Sequence, residues 1–446
     1  MLRKAEPPSA GRTLCALLAL CAGLLIATTA SAVSQASVSE WPKTQLVSRA
    51  SGSEGPAGNL PSFEPTATAD GRFIFFTSYA TNFTPSLPAR GLRLFRRDMR
   101  SGRTTLVPTV GHRPERPVVS ANGRFLAYVA SIDYSDGGGH EEIFVRDMRA
   151  GTTRLASRTN GADGAPASAP PTHELHPSVD RPSLSADGRY LAFVSTAPNL
   201  FPAAYRGRVP PQIYVRDLVA NTTTLVSRAS GRRGQIANAP CAEPEISADG
   251  RHIAFTSSAT NLGATGPRGD VFDGNVFVRD LTGAKTIAVS RTHLATTSYA
   301  PAISASGRYV AFFRKGDRVR TQVFERDLRS GHTVLVSRAS GSNGAPANSF
   351  ISKSFLGISP DGTLVAFFSN ATNLGGPSPV GSGLYLRDLE AKETTFVHSE
   401  VPGWAKPCIV DGRRYLIFGT FNTDQPTPNG AYAIGDVYRY DRGPTG

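Results

Sequence analysis

Short apolar runs recur along the chain behind a fixed polar marker. The marker is a Ser-Ala-Asp-Gly-Arg block followed by apolar residues, first at 69–76 and next at 120–128. Further copies occupy 185–194, 247–256, 304–313 and 359–368, and a degenerate copy occupies 408–418. Asp-Gly between two apolar runs indicates a β-hairpin, because Gly accepts the positive φ that a tight turn requires. Each block therefore predicts two strands, A before the turn and B after it.

A second block lies between the copies of the first. It is an aromatic strand that ends in Arg-Asp, at 94–98, 143–147, 213–217, 276–280, 323–327 and 384–388; at 437–441 one residue separates the Arg from the Asp. A Thr/Val-rich run that ends in Ser follows most copies. These segments predict strands C and D. Strands B and C read as continuous apolar runs, so we expect both faces of each sheet to be buried, as when sheets stack around an axis.

The two ends of the chain complement each other. The seventh repeat ends just after its strand C, whereas residues 44–52 match the D-strand segment 224–231 closely and have no strand A, B or C before them. Pairing the early segment with the last repeat removes an exposed sheet edge. The sequence therefore predicts an all-β fold, a seven-bladed β-propeller of four-stranded antiparallel blades whose N-terminal strand completes the last blade.

Residues 1–32 read as an export signal. Arg3, Lys4 and Arg12 precede the apolar run 14–26, and Ala30-Ser31-Ala32 supplies the small residues that signal peptidase requires. We divide the chain into the signal peptide 1–32, a short N-terminal segment 33–42 and the propeller 43–446. We expect a periplasmic or extracellular protein without stable membrane insertion, because no second apolar run reaches the roughly 20 residues of a spanning helix.

Composition adds a basic charge to this picture. The formal net charge is +13, and with 44 Gly, 33 Pro and 3 Met the chain is rich in turns rather than helices. A basic exterior favours polyanions, acidic lipid surfaces and acidic proteins. Cys241 and Cys408 fall in repeats 4 and 7, nearly opposite each other in a ring of seven. We expect two separate thiols, since a disulfide needs Cα atoms within about 7 Å.

The repeated Ser-Ala-Asp-Gly-Arg and Val-Arg-Asp-Leu blocks resemble the TolB-type, WD-like propeller repeats of exported bacterial proteins. The resemblance covers nearly the whole chain after residue 32. It implies a propeller fold and, by analogy with TolB, a scaffold that meets other envelope proteins. The separate N-terminal α/β domain of TolB has no counterpart in the residues before Trp41.

The long connections are predicted on one face, where the D–A and B–C loops emerge, while the A–B and C–D turns on the other face are short. Long loops on a rigid scaffold are common binding sites. From this long-loop face we select a basic sector as a candidate site for an anionic group, with a solvated arginine surface as the alternative. Its residues are Tyr205, Arg206, Arg208, Arg232, Arg233, Arg318 and Arg320.

We predict no metal site, no cofactor and no catalytic residue. His173 and His176 have metal-like spacing and are the weak candidates, but a Pro-rich loop lacks the helix that would aim both imidazoles at one ion. No Gly-x-Ser-x-Gly elbow is present. The seven Arg-Asp pairs occur once per repeat, so we expect them to stabilise turns.

Two functions remain open. The first is a non-enzymatic, exported binding or scaffold propeller, expected to be a monomer, that engages an envelope or extracellular protein or an anionic polymer, and not nucleic acid. The alternative is a lyase or hydrolase with its site at the channel mouth of the long-loop face. Histidines close to carboxylates at that mouth would favour the enzyme. Arginines, aromatic rings and backbone there would favour binding.

Overall fold

The structure is a computed structural model. It describes residues 43–84, 91–133, 139–167, 179–201, 210–264, 274–290, 296–316, 320–349, 351, 356–376, 383–399, 406–422 and 434–443. The predicted signal peptide and the segment 33–42 lie outside the described residues.

The described residues form 28 strands in seven sheets. Blade 1 contains β2 (Ser62–Ala67), β3 (Phe73–Ser78), β4 (Arg93–Asp98) and β5 (Arg103–Leu106), and blade 2 contains β6 (His112–Val119), β7 (Phe125–Asp133), β8 (Gly139–Asp147) and β9 (Thr152–Leu155). Blade 3 contains β10 (Val179–Leu184), β11 (Tyr190–Ser195), β12 (Gln212–Asp217) and β13 (Thr222–Leu225), and blade 4 contains β14 (Cys241–Ile246), β15 (His252–Ser257), β16 (Asn275–Asp280) and β17 (Lys285–Ala288). Blade 5 contains β18 (Thr296–Ile303), β19 (Tyr309–Gly316), β20 (Gln322–Asp327) and β21 (Thr333–Leu335), and blade 6 contains β22 (Gly357–Ile358), β23 (Leu364–Ser369), β24 (Gly383–Asp388) and β25 (Glu393–His398). Blade 7 contains β26 (Cys408–Val410), β27 (Tyr415–Asn422), β28 (Ile434–Asp441) and β1 (Thr44–Leu46).

The predicted fold is confirmed. Every sheet is antiparallel in the order A-B-C-D, and β1 is the fourth strand of blade 7. Thr44 is opposite Tyr440 in this pair, and Leu46 is opposite Tyr438. The match of the early segment to blade 7 is shorter than predicted, because the pairing with β28 ends near Ser48 and the chain then crosses to blade 1.

Burial between the blades explains why strands B and C are apolar throughout. The aromatic residues of adjacent B and C strands stack in pairs within a blade, as Phe255 and Phe277 do with ring centroids 5.8 Å apart. Phe193 and Tyr214 repeat this geometry at 5.9 Å. All four rings are fully buried. Burying an aromatic side chain stabilises the fold by about 1.5–3 kcal/mol, so the stacked pairs form the main core of each blade interface.

The Arg of the Asp-Gly-Arg block and the Asp of the Arg-Asp block pair with each other. Arg72 donates to both carboxylate oxygens of Asp98, at 3.1 and 3.0 Å, and Asp98 also accepts the N–H of Arg100 in the C–D turn. The same ion pair recurs in blades 2 to 5 and in blade 7: Arg124–Asp147, Arg189–Asp217, Arg251–Asp280, Arg308–Asp327 and Arg414–Asp441. The arginines are half-exposed, so each pair contributes little energy and serves mainly to fix the turns.

Main-chain hydrogen bonds link the A–B turns of neighbouring blades. The N–H of Ala69 donates to the carbonyl of Ala121 at 2.9 Å. The equivalent bonds run from Ala121 to Ala186, from Ala186 to Ala248, from Ala248 to Ala305, from Ala305 to Pro360 and from Asp411 to Ala69. Pro360 has no N–H to continue the series to blade 7. A salt bridge of 2.7 Å between Arg413 and Glu390 joins blades 7 and 6 instead.

Four of the connections between blades contain one and the same hairpin, which we call the rim hairpin. Its copies are 49–57, 158–166, 228–236 and 338–346, each with the sequence Arg-x-Ser/Asn-Gly-x-x-Gly. The first Gly has φ near +100°, as in Gly231 (103°). A Cβ on the second Gly, such as Gly234, would lie 2.0 Å from the Ala229 carbonyl oxygen, so both glycines are required.

Each rim hairpin packs on the outer strand of the next blade. Ser51 Oγ accepts the N–H of Thr104 in β5 at 3.0 Å, and the N–H of Gly52 donates to the carbonyl of Gly102 in the C–D turn. Arg97, the Arg of the Arg-Asp block, donates to the carbonyls of Ala50 and Gly52 at 3.0 and 2.9 Å. Arg216, Arg279 and Arg387 repeat this contact in blades 3, 4 and 6. The predicted structural role of the Arg-Asp block therefore includes seating this hairpin.

Within the described residues there is no helix with the length and hydrophobicity that crossing a membrane requires. Cys241 is buried in blade 4 and Cys408 is partly buried in blade 7, and both are free thiols.

Glu325 interrupts the apolar register of strand C in blade 5. Val145, Val215 and Val278 occupy the equivalent positions of blades 2 to 4. Glu325 is 5% exposed, and burial raises its pKa from 4.5 to about 8. Folding therefore favours the protonated acid, and this stabilisation is complete below about pH 4.5 and is lost as the pH rises through about 8.

We expect Glu325→Val to stabilise the protein at alkaline pH. At pH 9 the gain is on the order of 1–3 kcal/mol, since the buried carboxylate no longer has to ionise. Thermal unfolding from pH 5 to pH 9 measures the effect. Between pH 5 and pH 9 the melting temperature of the wild type should fall more than that of Glu325→Val. The melting temperature of the exposed control Glu54→Val should fall as much as that of the wild type. Parallel pH profiles for all three proteins would contradict the assignment.

Candidate functional site in the central channel

The A strands surround a central channel. Strand A is the first strand of each sheet, and it contacts strand A of both neighbouring blades all the way around the ring. The hydrogen-bonded A–B turns form one end of the channel. The long-loop face forms the other end, because the D–A connections lead into the A strands there.

A β-bulge with an X-Pro sequence interrupts strand A in blades 1 to 5. The strand register shifts at 64–65, 116–117, 181–182, 243–244 and 300–301. The residue before each Pro has a positive φ between 48° and 59°, which is unfavourable for a residue other than Gly. Pro is compatible with a bulge because it has no N–H to donate to the ladder. A bulge re-aims its side chain, and these bulges lie in the strand that lines the channel.

The glutamates at two bulges bind the backbone of the next blade. Glu64 in blade 1 accepts the N–H of Arg116 in blade 2 at 2.7 Å. Glu243 in blade 4 accepts the N–H of Ala300 in blade 5 at 2.6 Å, and the hydroxyl of Thr256 as well. Burial raises the pKa of Glu64, while the Arg116 N–H acts in the opposite direction. Bulge residues thus connect adjacent blades around the channel.

Charged side chains of both signs continue this series across blades 2 to 4. Arg116 is paired with Asp180 of blade 3. Arg181 lies 3.7 Å from Asp180 and 3.7 Å from Glu243 of blade 4. We call Glu64, Arg116, Asp180, Arg181 and Glu243 the charged arc. Arg116 remains 39% exposed, so the arc is accessible to solvent or to a ligand.

An ion pair crosses the channel. Lys406, two residues before strand A of blade 7, places Nζ 2.5 Å from a carboxylate oxygen of Glu245 in strand A of blade 4. Blade 7 adjoins blades 6 and 1, whereas blade 4 adjoins blades 3 and 5, so the pair joins nearly opposite sides of the ring. Cys408 lies beside it, and burial raises the pKa of this thiol. The pair therefore spans the channel between blades 4 and 7.

A histidine does approach a carboxylate in the structure, but inside blade 2. His140 Nε2 lies 3.0 Å from Glu142, which also accepts the hydroxyl of Ser157, and burial raises the pKa of Glu142 to about 8. In blades 3 and 5 the matching Ser donates to an amide oxygen, that of Gln212 or Gln322. The cluster is thus one variant of a repeated contact between strands C and D, and we assign it to the core.

The structure describes three residues of the predicted basic sector, Arg232, Arg233 and Arg320, so the sector as a whole stays a prediction. Arg232 and Arg233 are exposed at the tip of a rim hairpin, where Gly231 bonds to the C–D turn of blade 4, so they lie toward the face opposite the predicted one. Arg320 is exposed before strand C of blade 5. Tyr205, Arg206, Arg208, Arg318, His173 and His176 lie outside the described residues. Among the residues that are described, no three His, Cys, Asp or Glu side chains come together as a metal site.

The charged arc is not among the site residues predicted from the sequence, although the sequence contains a signal for it. A Pro stands at the same place of six repeats, after Glu64, Arg116, Arg181, Glu243, Ala300 and Lys406. Pro inside a strand indicates a bulge, and a charged residue before it on the innermost strand indicates a channel-lining side chain. The ion pair across the ring has no such signal, because it depends on which blades face each other.

Comparison with known proteins supports the fold. No protein-family model matches the sequence, and no curated protein matches it. Oligogalacturonate lyase from Vibrio parahaemolyticus matches with a TM-score of 0.55 at 9% identity, over 86% of this chain and 91% of that chain. The propeller domain of the Trilobed protease from Pyrococcus furiosus matches with a TM-score of 0.50 at 10% identity, over 86% and 96%. TolB from Acinetobacter baumannii matches with a TM-score of 0.42 at 15% identity, over 77% and 80%.

The fold is a seven-bladed β-propeller. The resemblance predicted from the repeated blocks is confirmed at the level of architecture, by seven four-stranded blades in a ring. At these identities the likeness shows the fold alone, so function has to be argued from the residues of this propeller.

We expect the double variant Lys406→Met/Glu245→Gln to open the channel. Removing the ion pair should raise the alkylation rate of Cys408 about threefold to tenfold, the factor that corresponds to roughly 0.7–1.4 kcal/mol. Maleimide labelling followed by mass spectrometry reads each thiol separately, and the fully buried Cys241 is the internal reference.

Arg413→Met/Glu390→Gln removes a similar ion pair between neighbouring blades and serves as the matched control. It should leave the Cys408 rate unchanged. Equal labelling of Cys408 in the wild type and in the channel variant would show that the Lys406–Glu245 pair does not restrict access.

Proposed function

We propose that this protein is an exported, non-enzymatic binding scaffold that engages a protein or an anionic envelope polymer through its long-loop face. The charged arc in the channel carries the proposal. Its backbone is strained at successive bulges, with φ of 50° at Glu64 and 52° at Arg116 and Arg181. Such strain costs on the order of 1–3 kcal/mol per residue and persists at ligand clamps, where the surroundings fix it.

The pairing within the arc favours binding over catalysis. Asp180 contacts both Arg116 and Arg181, and Glu243 binds the backbone of the next blade. Such a preorganised set of positively and negatively charged side chains is complementary to a polypeptide, which can offer carboxylates, ammonium groups and amides together. The net charge of +13 supports attraction of an acidic partner or polymer over longer distances.

Export is the part of the proposal that depends on the N-terminal segment. Arg3, Lys4 and Arg12, the apolar run 14–26 and Ala30-Ser31-Ala32 support it. Cleavage after Ala32 would leave a chain that begins at Val33. N-terminal sequencing of the protein recovered from the periplasm or the medium tests this assignment.

A second candidate is a lyase or hydrolase at the same mouth, favoured by one observation. Glu64 is a buried carboxylate whose pKa is raised by burial, and it binds the N–H of Arg116. A general acid or base works best when its pKa lies near the operating pH, and a cation can stabilise developing negative charge. Turnover of an anionic oligosaccharide that disappears in Glu64→Gln would favour this candidate over the scaffold.

We expect charge reversal on the long-loop face to abolish partner binding. Arg113→Glu/Arg320→Glu changes two exposed arginines on that face, and Arg100→Glu/Arg149→Glu makes the same change on the opposite face. Capture of envelope proteins by residues 33–446, with retention on heparin in parallel, measures binding. Only the first variant should reduce capture, by about tenfold or more, which corresponds to at least 1.4 kcal/mol.

The two readouts separate the proposed ligands. A protein partner would be lost from the capture without a matching change on heparin, whereas a polymer ligand would show the same face dependence on heparin. Equal losses for both variants would mean attraction by net charge alone, and the proposed binding face would then be wrong.

A further inference from the structure

The outer edges of blades 2 and 5 retain the receptor for a rim hairpin, but no hairpin of the described residues is seated on them. In blades 1, 3, 4 and 6 the hairpin comes from the connection that precedes the blade. The connection from β5 to β6 contains residues 107–111, and the one from β17 to β18 contains residues 289–295. Neither is long enough to hold the nine-residue hairpin.

The residues that receive the hairpin are nevertheless conserved within the repeat. Arg146 and Arg326 stand at the position of Arg97, and Thr153 and Thr333 stand at the position of Thr104. In both blades the Arg Nη1 donates to the Thr hydroxyl at 3.0 Å, as Arg97 does to Thr104 at 2.8 Å. The arginine is therefore already held in the geometry that binds two carbonyls in the other blades.

Burial distinguishes the occupied receptors from the vacant ones. Arg97, Arg216, Arg279 and Arg387 are between 1% and 4% exposed beneath their hairpins, whereas Arg146 and Arg326 are partly exposed. In blade 1 a Cβ on Gly102 would lie 3.3 Å from the backbone of Gly52. In blades 2 and 5 a Cβ on Gly151 or Gly331 would meet only an arginine Nη2, at 3.9 and 3.6 Å.

The strand edge in these blades also offers main-chain groups. The N–H of Thr104 donates to Ser51, and the N–H groups of Thr223, Thr286 and Thr394 donate to Asn160, Ser230 and Ser340 of their hairpins. By the repeat register, the N–H groups of Thr153 and Thr333 point outward in the same way. An outward strand edge is a template for another chain.

We propose that the outer edges of blades 2 and 5 are docking sites for a turn of a partner polypeptide with the sequence Ser/Asn-Gly-x-x-Gly. The four occupied blades define its chemistry: two carbonyls for the arginine, a Ser or Asn side chain for the Thr N–H, and glycines where side chains do not fit. The two residues between the glycines differ among the four seated hairpins (Ser-Glu, Ala-Asp, Arg-Arg and Ser-Asn), so the docking sequence is open at these positions. A second copy of this chain is a poor occupant, because its own hairpins are seated.

This inference concerns the rim of the ring and goes beyond the function proposed for the channel mouth. The probe is a peptide of residues 336–348 of this chain, cyclised to hold the turn, titrated into residues 33–446. We expect two peptides to bind per protein, and we expect the amides of β9 and β21 to become protected from hydrogen exchange. A peptide with Gly341→Val should not bind, because this Gly has a φ of 96°.

Variants on the protein assign the sites. Arg146→Ala should leave one peptide per protein, and Arg146→Ala/Arg326→Ala should weaken binding about tenfold or more. Arg149→Ala/Arg329→Ala removes the same charge from adjacent exposed positions and should keep both sites. Melting temperatures confirm that every variant is folded.

No binding by the cyclic peptide, or equal binding by the wild type and Arg146→Ala/Arg326→Ala, would overturn the proposal. So would an equal loss in Arg149→Ala/Arg329→Ala, since binding would then depend on local charge rather than on the hairpin receptor.

Discussion

The pairing of Thr44–Leu46 with the last strand holds the ring, and the remaining structure depends on it. Blade 7 would otherwise have three strands and an open edge on β28. The contact joins residues nearly 400 positions apart, as the bond from Ser48 to Asp436 illustrates at 2.7 Å. Each A strand contacts the A strands of two neighbouring blades. Opening the ring at one blade would therefore allow the A strands around the whole channel to move apart.

The closed ring stabilises the strained backbone of the A strands at the channel. A positive φ before Pro is unfavourable in an isolated strand, yet blades 1 to 5 all contain it. The blades are packed on both faces by buried aromatic pairs, so the backbone has no room to relax. The result is a fixed series of charged side chains, and the Lys406–Glu245 pair adds a contact across the ring that no single blade could make.

The rim hairpins lie at the outside of the ring, whereas the bulges line its centre. They cover the outer strands of four blades, and they give the buried arginines of strand C a neutral partner in main-chain carbonyls. A buried guanidinium without such acceptors would be costly. The covered edges also cannot pair with other chains, which leaves blades 2 and 5 as the positions where an equivalent receptor is partly exposed.

The sequence by itself determined the architecture. Seven copies of a block related to Asp-Gly-Arg and seven of a block related to Arg-Asp predict four strands per repeat, and the unmatched segment at Thr44 predicts the closing strand. These features are local, so each repeat reports them independently. The presence of one Arg-Asp block in each repeat also predicts its structural role.

The tertiary structure decided the candidate sites. Arg232 and Arg233 lie in a long connection, but the rim hairpin places them beside the C–D turn of blade 4. Lys406 and Glu245 are 161 residues apart and meet because their blades lie nearly opposite each other. Which side chains converge depends on the closed ring and on the path of each connection over it. No local sequence pattern indicates which blades face each other or how a connection runs over the ring.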